Sequence, residues 1–227
     1  MARKRSKKLK LRNIKNDPQN DRWVENMDEF GRAGEANRWF RTAFQPILKT
    51  MADRYISGRL TKVMVKIIKS DPVNDRGKRT IVAGELRLLE HFNFNRNARL
   101  FEVIHLPGYE ITFTRETGQV QIHIPSIFPV VYVNMPENAT SFSILAAAAA
   151  INFRSHGENH FDYKIADEIS APLSWTSPVH LALNLPAGIA NPVFVALGVQ
   201  FFGRSKSGDP VVIDKKFNAM ELVKVIM

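Results

Sequence analysis

The amino-acid sequence predicts an α+β fold: an N-terminal helical segment of three or four helices, followed by an antiparallel β-sandwich or open barrel. Three observations carry that expectation. Apolar residues recur with helical spacing as far as residue 91, the spacing switches to two after about Arg99, and short turn clusters punctuate the remainder. The chain accordingly divides into a basic arm at 1–17, a helical region at 18–91 and a sandwich region at 92–227.

In the helical region, Asp17 and Pro18 suit a helix start, because proline is tolerated where the first amide has no partner. Trp23, Met27 and Phe30 follow at spacings of four and three, and Phe40, Phe44 and Leu48 recur every four residues. Gly31 and Gly34 are expected either to end one helix or to permit close backbone packing. Pro46 kinks the second helix or opens a third. The clearest helix runs over 56–69, where Leu60, Val63, Met64, Ile67 and Ile68 form a core-facing stripe. Asp71 and Pro72 stop it, 74–77 reads as a turn, and a short helix over 84–91 closes the region.

Beyond Arg99, Tyr109, Ile111 and Phe113 alternate, 116–118 turns, and Val120, Ile122 and Ile124 alternate back, which is a hairpin with a three-residue loop. Further strands are expected over 128–133, 141–153, 161–165, 179–185, 193–202, 211–213 and 217–226. The last lacks strict parity, so a bulge or burial on both faces is expected there. Five consecutive alanines, Ala146 to Ala150, favour helix by propensity. Their flanks (Phe142, Ile144, Ile151 and Phe153) read as strand, and the small side chains then let a second layer approach closely. The expected core comprises Phe44, Leu60, Val63, Met64 and Ile67 in the first half, and Ile111, Phe113, Ile122, Phe142 and Val195 in the second.

Charge is distributed unevenly. The 227 residues carry 32 Lys and Arg against 22 Asp and Glu, a formal net charge of +10. Eight of the bases (Arg3, Lys4, Arg5, Lys7, Lys8, Lys10, Arg12 and Lys15) fall within residues 1–15, which hold no acid. Residues 91–227 hold ten bases and eleven acids and are close to neutral. An arm of that charge density repels itself and favours a polyanionic partner, nucleic acid above all. It has no aromatic residue, which argues against insertion at a bilayer surface. A second basic row, Arg59, Lys62, Lys66 and Lys69, lines one face of the 56–69 helix at spacings of three, four and three, and would extend the same surface.

Catalytic signatures are sparse. With no cysteine, thiol nucleophiles and thiolate zinc sites are excluded, and neither a nucleophile elbow nor a P-loop nor a dinucleotide fingerprint occurs. The 203–208 segment has a phosphate-friendly composition but reads as a hairpin tip. His156, His160 and Asp162 form a His/carboxylate cluster in a loop, not a metal site, and His91, His105, His123 and His180 are scattered. Gly31 and Gly34 with Arg32 and Ala33 have the spacing of a nucleotide-clamping GxxG loop, but no strand precedes them.

The runs Glu29–Gly34 (EFGRAG), Arg41–Pro46 (RTAFQP), Arg59–Lys62 (RLTK) and Arg76–Arg79 (RGKR), with Asn93 to Asn95 and 192–198 further on, occur here in one order. In that order they resemble a family of conserved, uncharacterised proteins of about this size from bacteria of the Bacteroidetes group. The resemblance extends from about Trp23 to the C-terminus and implies an origin in a bacterium or a bacterial genetic element, with no activity or site residues to carry over. Those proteins tend to begin with a Gly-rich, hairpin-like segment where this chain has its polybasic arm.

The expected function is that of a non-enzymatic, self-assembling structural protein, shell- or scaffold-like, whose arm contacts nucleic-acid phosphates with little sequence preference. The alternative is a monomeric or dimeric nucleic-acid-binding protein with the helical half as reader. No cofactor and no metal is expected. The expected partners are nucleic acid and further copies of the chain, with no membrane. The expected location is the cytoplasm or the interior of a nucleoprotein assembly, without secretion.

Overall fold

A computed structural model describes residues 20–154, 158–170 and 174–227. Helices come first: α1 (Asp21–Ala43), α2 (Gln45–Met51) and α3 (Ile56–Lys69), then a 3-10 turn at Leu86–Leu89 and the single-turn helix α4 (Leu100–Val103). The hairpin β1 (Glu110–Thr114) and β2 (Gln119–Ile124) follows, then a second single-turn helix, α5 (Pro129–Tyr132). The remaining strands are β3 (Ser141–Ala150), β4 (His160–Ile165), β5 (Ile169–Ser170), β6 (Val179–Asn184), β7 (Val193–Arg204), β8 (Pro210–Val212) and β9 (Ala219–Ile226).

Every strand pairing is antiparallel. The larger sheet is built on β3 and β7, with β4 and β5 beside β3, and β8 and β9 beside β7; the smaller sheet has the order β1-β2-β6. The molecule thus has three layers: helices, large sheet, small sheet. Strand parity sorts the large sheet between its two neighbours. Leu145, Ala147, Ala149, Phe194, Ala196 and Met220 pack with the helices. Ile144, Ala146, Ala148, Ala150, Val195 and Leu197 pack with Val120, Ile122 and Leu183 of the small sheet. All ten residues of β3 are buried, which accounts for the alanine run. A strand covered on both faces gains from side chains that keep both layers close, and that gain overrides helical propensity.

Aromatic rings fill the helix-facing core. Phe40 stacks on Phe44 at 4.7 Å between centroids, Phe44 meets Phe94 at 5.4 Å and Phe161 at 5.6 Å, and Phe40 meets Phe194 edge-on at 5.7 Å. Each such pair contributes about 0.5–1.5 kcal/mol beyond its buried area. Buried Asn37 ties α1 to α3 by donating to the Ser57 carbonyl at 3.0 Å and to Thr61 Oγ1 at 2.7 Å. The turn after α3 is organised by Asp71, which accepts from the Val73, Asn74 and Thr80 amides and from Asn74 Nδ2. Burial acts to raise its pKa, but the hydrogen bonds from Asn74, Thr80 and Val73 outweigh burial and hold the carboxyl well below the usual carboxylate range.

Several local expectations are corrected. The 128–133 segment is helical at its centre: Val131 and Tyr132 donate to the Phe128 carbonyl, and Val130 and Val131 are exposed. The 84–91 segment contains a 3-10 turn in place of an α-helix. The β1–β2 loop has four residues, because Thr114 pairs directly with Gln119. Val63, Ile111 and Phe113 are half-buried; the other seven expected core residues are buried. Pro46 sits in the first turn of α2. In β9 the register shifts opposite Val195 and Ala196, the irregularity its broken parity foretells.

Gly31 and Gly34 neither end α1 nor bring another backbone close, since a Cβ at either position meets nothing within 4 Å. Both are exposed inside a continuous helix. Their only structural effect is the entropic cost of glycine in a helix interior. Gly31→Ala and Gly34→Ala should each stabilise the protein by about 0.5–1 kcal/mol in urea denaturation. A loss of stability would mean that one of these positions needs the freedom of glycine.

Candidate nucleic-acid interface

Helix α3 turns Leu60, Met64, Ile67 and Ile68 into the core, so its basic row faces outward as the spacing requires. The four bases differ in role. Arg59 is half-buried, and its guanidinium donates to the carbonyls of Asn93 at 2.5 Å and Phe94 at 2.8 Å while pairing with Asp53 at 2.7 Å. Asp53 also accepts from the Arg96 amide at 2.7 Å. Arg59 therefore pins the 93–96 segment to α3, and its charge is matched. Lys62, Lys66 and Lys69 are exposed and, among the described residues, form no ion pair.

The pinned segment and α3 enclose a groove of about 580 Å³ whose lining includes Arg59, Lys62, His91, Arg96, Arg99 and Phe101. Its acidic groups are Glu90 and Glu221. The Arg96 guanidinium lies 4.4 Å from the Tyr55 ring centroid, and Arg99 approaches Glu102 at 3.8 Å. Phe101 is 65% exposed and offers an uncovered ring at the groove.

His91 has a left-handed backbone, with φ 65°, a conformation rare for a side-chain-bearing residue. Its amide donates to the Leu222 carbonyl at 2.7 Å, and its Nδ1 stands 2.8 Å from Glu221 Oε1. A carboxylate only accepts, so Nδ1 carries the proton in this contact. Asn93 Nδ2 donates to the second Glu221 oxygen at 3.0 Å. Tyr109 is pushed above the ordinary phenol range by burial first and by the Glu221 charge second.

Of the residues expected from sequence, Arg3, Lys4, Arg5, Lys7, Lys8, Lys10, Arg12 and Lys15 lie outside the described residues. Lys62, Lys66 and Lys69 share the exposed face, and Arg59 has a structural task instead. The His91–Glu221 pair escapes sequence reasoning because 130 positions separate the partners, and Arg96 and Arg99 escape it because only the folding of the 93–96 segment against α3 brings them to Lys62. The positive φ of His91 has no local sequence signature. Gly31 and Gly34 lie within α1, which removes the GxxG-loop reading. The 203–208 segment includes the β7–β8 tip, with Gly208 at φ 90° donating to the Ser205 carbonyl. His156 lies outside the described residues.

No protein-family model matches the chain, and no curated protein sequence does.

The geometry assigns opposite consequences to neighbouring bases. Arg59→Ala should cost about 3 kcal/mol in urea denaturation, because it strands a buried carboxylate and two carbonyls. Lys62→Ala and Lys66→Ala should stay within about 0.5 kcal/mol of the parent. Equal effects at all three positions would contradict the anchoring role of Arg59.

Proposed function

We propose that the protein is a non-enzymatic, self-assembling structural protein whose basic N-terminal arm contacts nucleic acid through its phosphates. The observation that carries this reading is the partition of charge: eight bases and no acid in residues 1–15, against a near-neutral 91–227. Lys62, Lys66 and Lys69, which form no ion pair among the described residues, extend the cationic surface onto the folded body. Lysine and arginine without aromatics supply charge but no stacking platform, so sequence preference is weak.

Self-association is supported by apolar surface on the 128–132 and 175 region. Phe128 and Tyr132 lie 5.8 and 6.3 Å from the ring of Trp175, which is 63% exposed, and Val130 and Val131 are exposed beside them. Contiguous apolar surface of this kind favours burial against another copy. No helix of the described residues is long and apolar enough to cross a membrane. The Bacteroidetes resemblance remains part of the proposal and contributes no activity.

A second reading, a monomeric or dimeric nucleic-acid reader, is favoured by one feature: Lys62, Arg96, Arg99 and the exposed Phe101 share a groove. Binding of the full chain to duplex and single-stranded oligonucleotides across a salt series separates the two. If all eight arm charges engage, the log–log slope on duplex DNA reaches about −7, and partial engagement gives a shallower value. Replacing the eight arm bases by Gln should remove most affinity, whereas charge reversal at Lys62 and Lys66 should weaken it modestly. The converse pattern favours the reader, and no binding at ~20 mM salt contradicts both. Light scattering of the purified protein should find particles larger than a dimer; a monomer or dimer would contradict self-assembly.

A further inference from the structure

The groove beside α3 holds what residues 1–15 lack, an aromatic ring set among bases. Phe101 and Leu88 are exposed there and line it with Lys62, Arg96 and Arg99. Arg96 also covers the half-exposed ring of Tyr55, which Arg54 approaches at 4.6 Å from the centroid. The wall that presents Phe101 is fixed. Asn93 Oδ1 accepts from the Leu100 amide at 3.0 Å, and Leu100 is buried while the next side chain stands in solvent. Asp53, paired with Arg59, accepts from the Arg96 amide and holds the other end of the same segment. Both acids of the groove are engaged by the protein's own donors. Glu90 accepts from the Val225 amide at 2.9 Å, and the two Glu221 oxygens contact His91 and Asn93. Among the described residues Lys62 and Arg96 form no ion pair, and Arg99 has a loose one with Glu102 at 3.8 Å, both side chains exposed.

We propose that this groove binds a segment of single-stranded nucleic acid, with a base stacked on Phe101 and the flanking phosphates on Lys62, Arg96 and Arg99. The site rests on the nucleic-acid binding proposed above and gives it a preferred strand form, but it needs no part of the arm. Charge alone does not tell a single strand from a duplex. A ring does, because paired bases are already stacked on one another, whereas an unpaired base has a free face to lay on an aromatic side chain. The groove's volume of about 580 Å³ falls among pockets of about 300–1,000 Å³ that hold small organic ligands, which suits a base with its phosphates. Arm and groove then differ in what they recognise. The arm takes either form of nucleic acid through its phosphates, and the groove adds affinity for the single strand. Sequence preference stays weak at both, since every base has a face to stack.

The test measures affinity of the full-length protein, at one fixed salt concentration, for three probes: oligo(dT), a DNA duplex and inorganic polyphosphate, which has charge but no base. Phe101→Ala should weaken oligo(dT) binding by about fivefold or more. Duplex and polyphosphate affinities should stay at the parent's values, and so should the melting temperature, because the ring is exposed. Phe101→Trp should restore oligo(dT) binding. With the eight arm bases replaced by Gln, duplex affinity should largely disappear while oligo(dT) keeps a share that Phe101→Ala removes. Unchanged oligo(dT) affinity in Phe101→Ala, with duplex binding that still depends on the arm, would overturn the groove site and leave the arm's role standing. Equal losses on all three probes would also overturn it, by showing that the ring does not act through bases. Absence of binding to every probe would overturn groove and arm together.

Discussion

Burial of β3 and β7 on both faces is the constraint from which the remaining architecture follows. A strand with ten consecutive buried residues has no solvent side, so both faces need apolar cover. The helices α1 and α3 supply one cover and the small sheet the other. The alanine run sets how closely the layers approach. On the helix face Ala149 pairs with Phe194 and Ala147 with Ala196, and on the other Ala146 and Ala148 pair with Leu197 and Val195, so on both faces the alanines leave room for larger neighbours on β7. The edge of the large sheet is handled by the chain itself. The 91–94 segment hydrogen-bonds to β9 through the Leu222 and Met220 carbonyls and the Leu222 amide, which covers an edge that would otherwise be open to pairing.

That edge also places the groove. Pairing with β9 carries His91 and Asn93 to Glu221, and Arg59 grips the carbonyls that follow. The groove is thus a by-product of closing the sheet, and its rigid side is the core itself. Most of the chain's excess charge lies elsewhere, in residues 1–15. The proposed function divides the work accordingly: the layered body, near neutral over 91–227, supplies surfaces for other copies, and the bases of residues 1–15 supply long-range attraction to phosphates.

How much was legible in the sequence depended on whether the signal was local. The stripe of α3 and the β1–β2 hairpin are written in periodicity, and both form where expected. The alanine run is locally contradictory, and its flanking residues resolved it. The 128–133 segment misled because a continuous apolar run resembles a buried strand, whereas Val130 and Val131 stand at the surface of a helical turn. Gly31 and Gly34 misled in the opposite sense: two breakers lie inside a helix that the packing of Ala33, Ala36 and Phe40 holds together. The basic row on α3 was visible as a pattern, but the separate task of Arg59 was not, because its partners lie 34 and 35 positions away. The His123–His180 contact was invisible for the same reason, since only sheet register brings it together.

The central claim, that helices and both sheets share one large sheet as a common core, is tested most directly by native-state hydrogen exchange. If the layers depend on each other, the slowest amides of α3, β3, β7 and β2 should exchange with the same opening free energy, equal to that of global unfolding. Amides of α3 opening several kcal/mol more easily than those of β3 and β7 would contradict the account, by showing a helical layer that detaches while the sandwich stays folded.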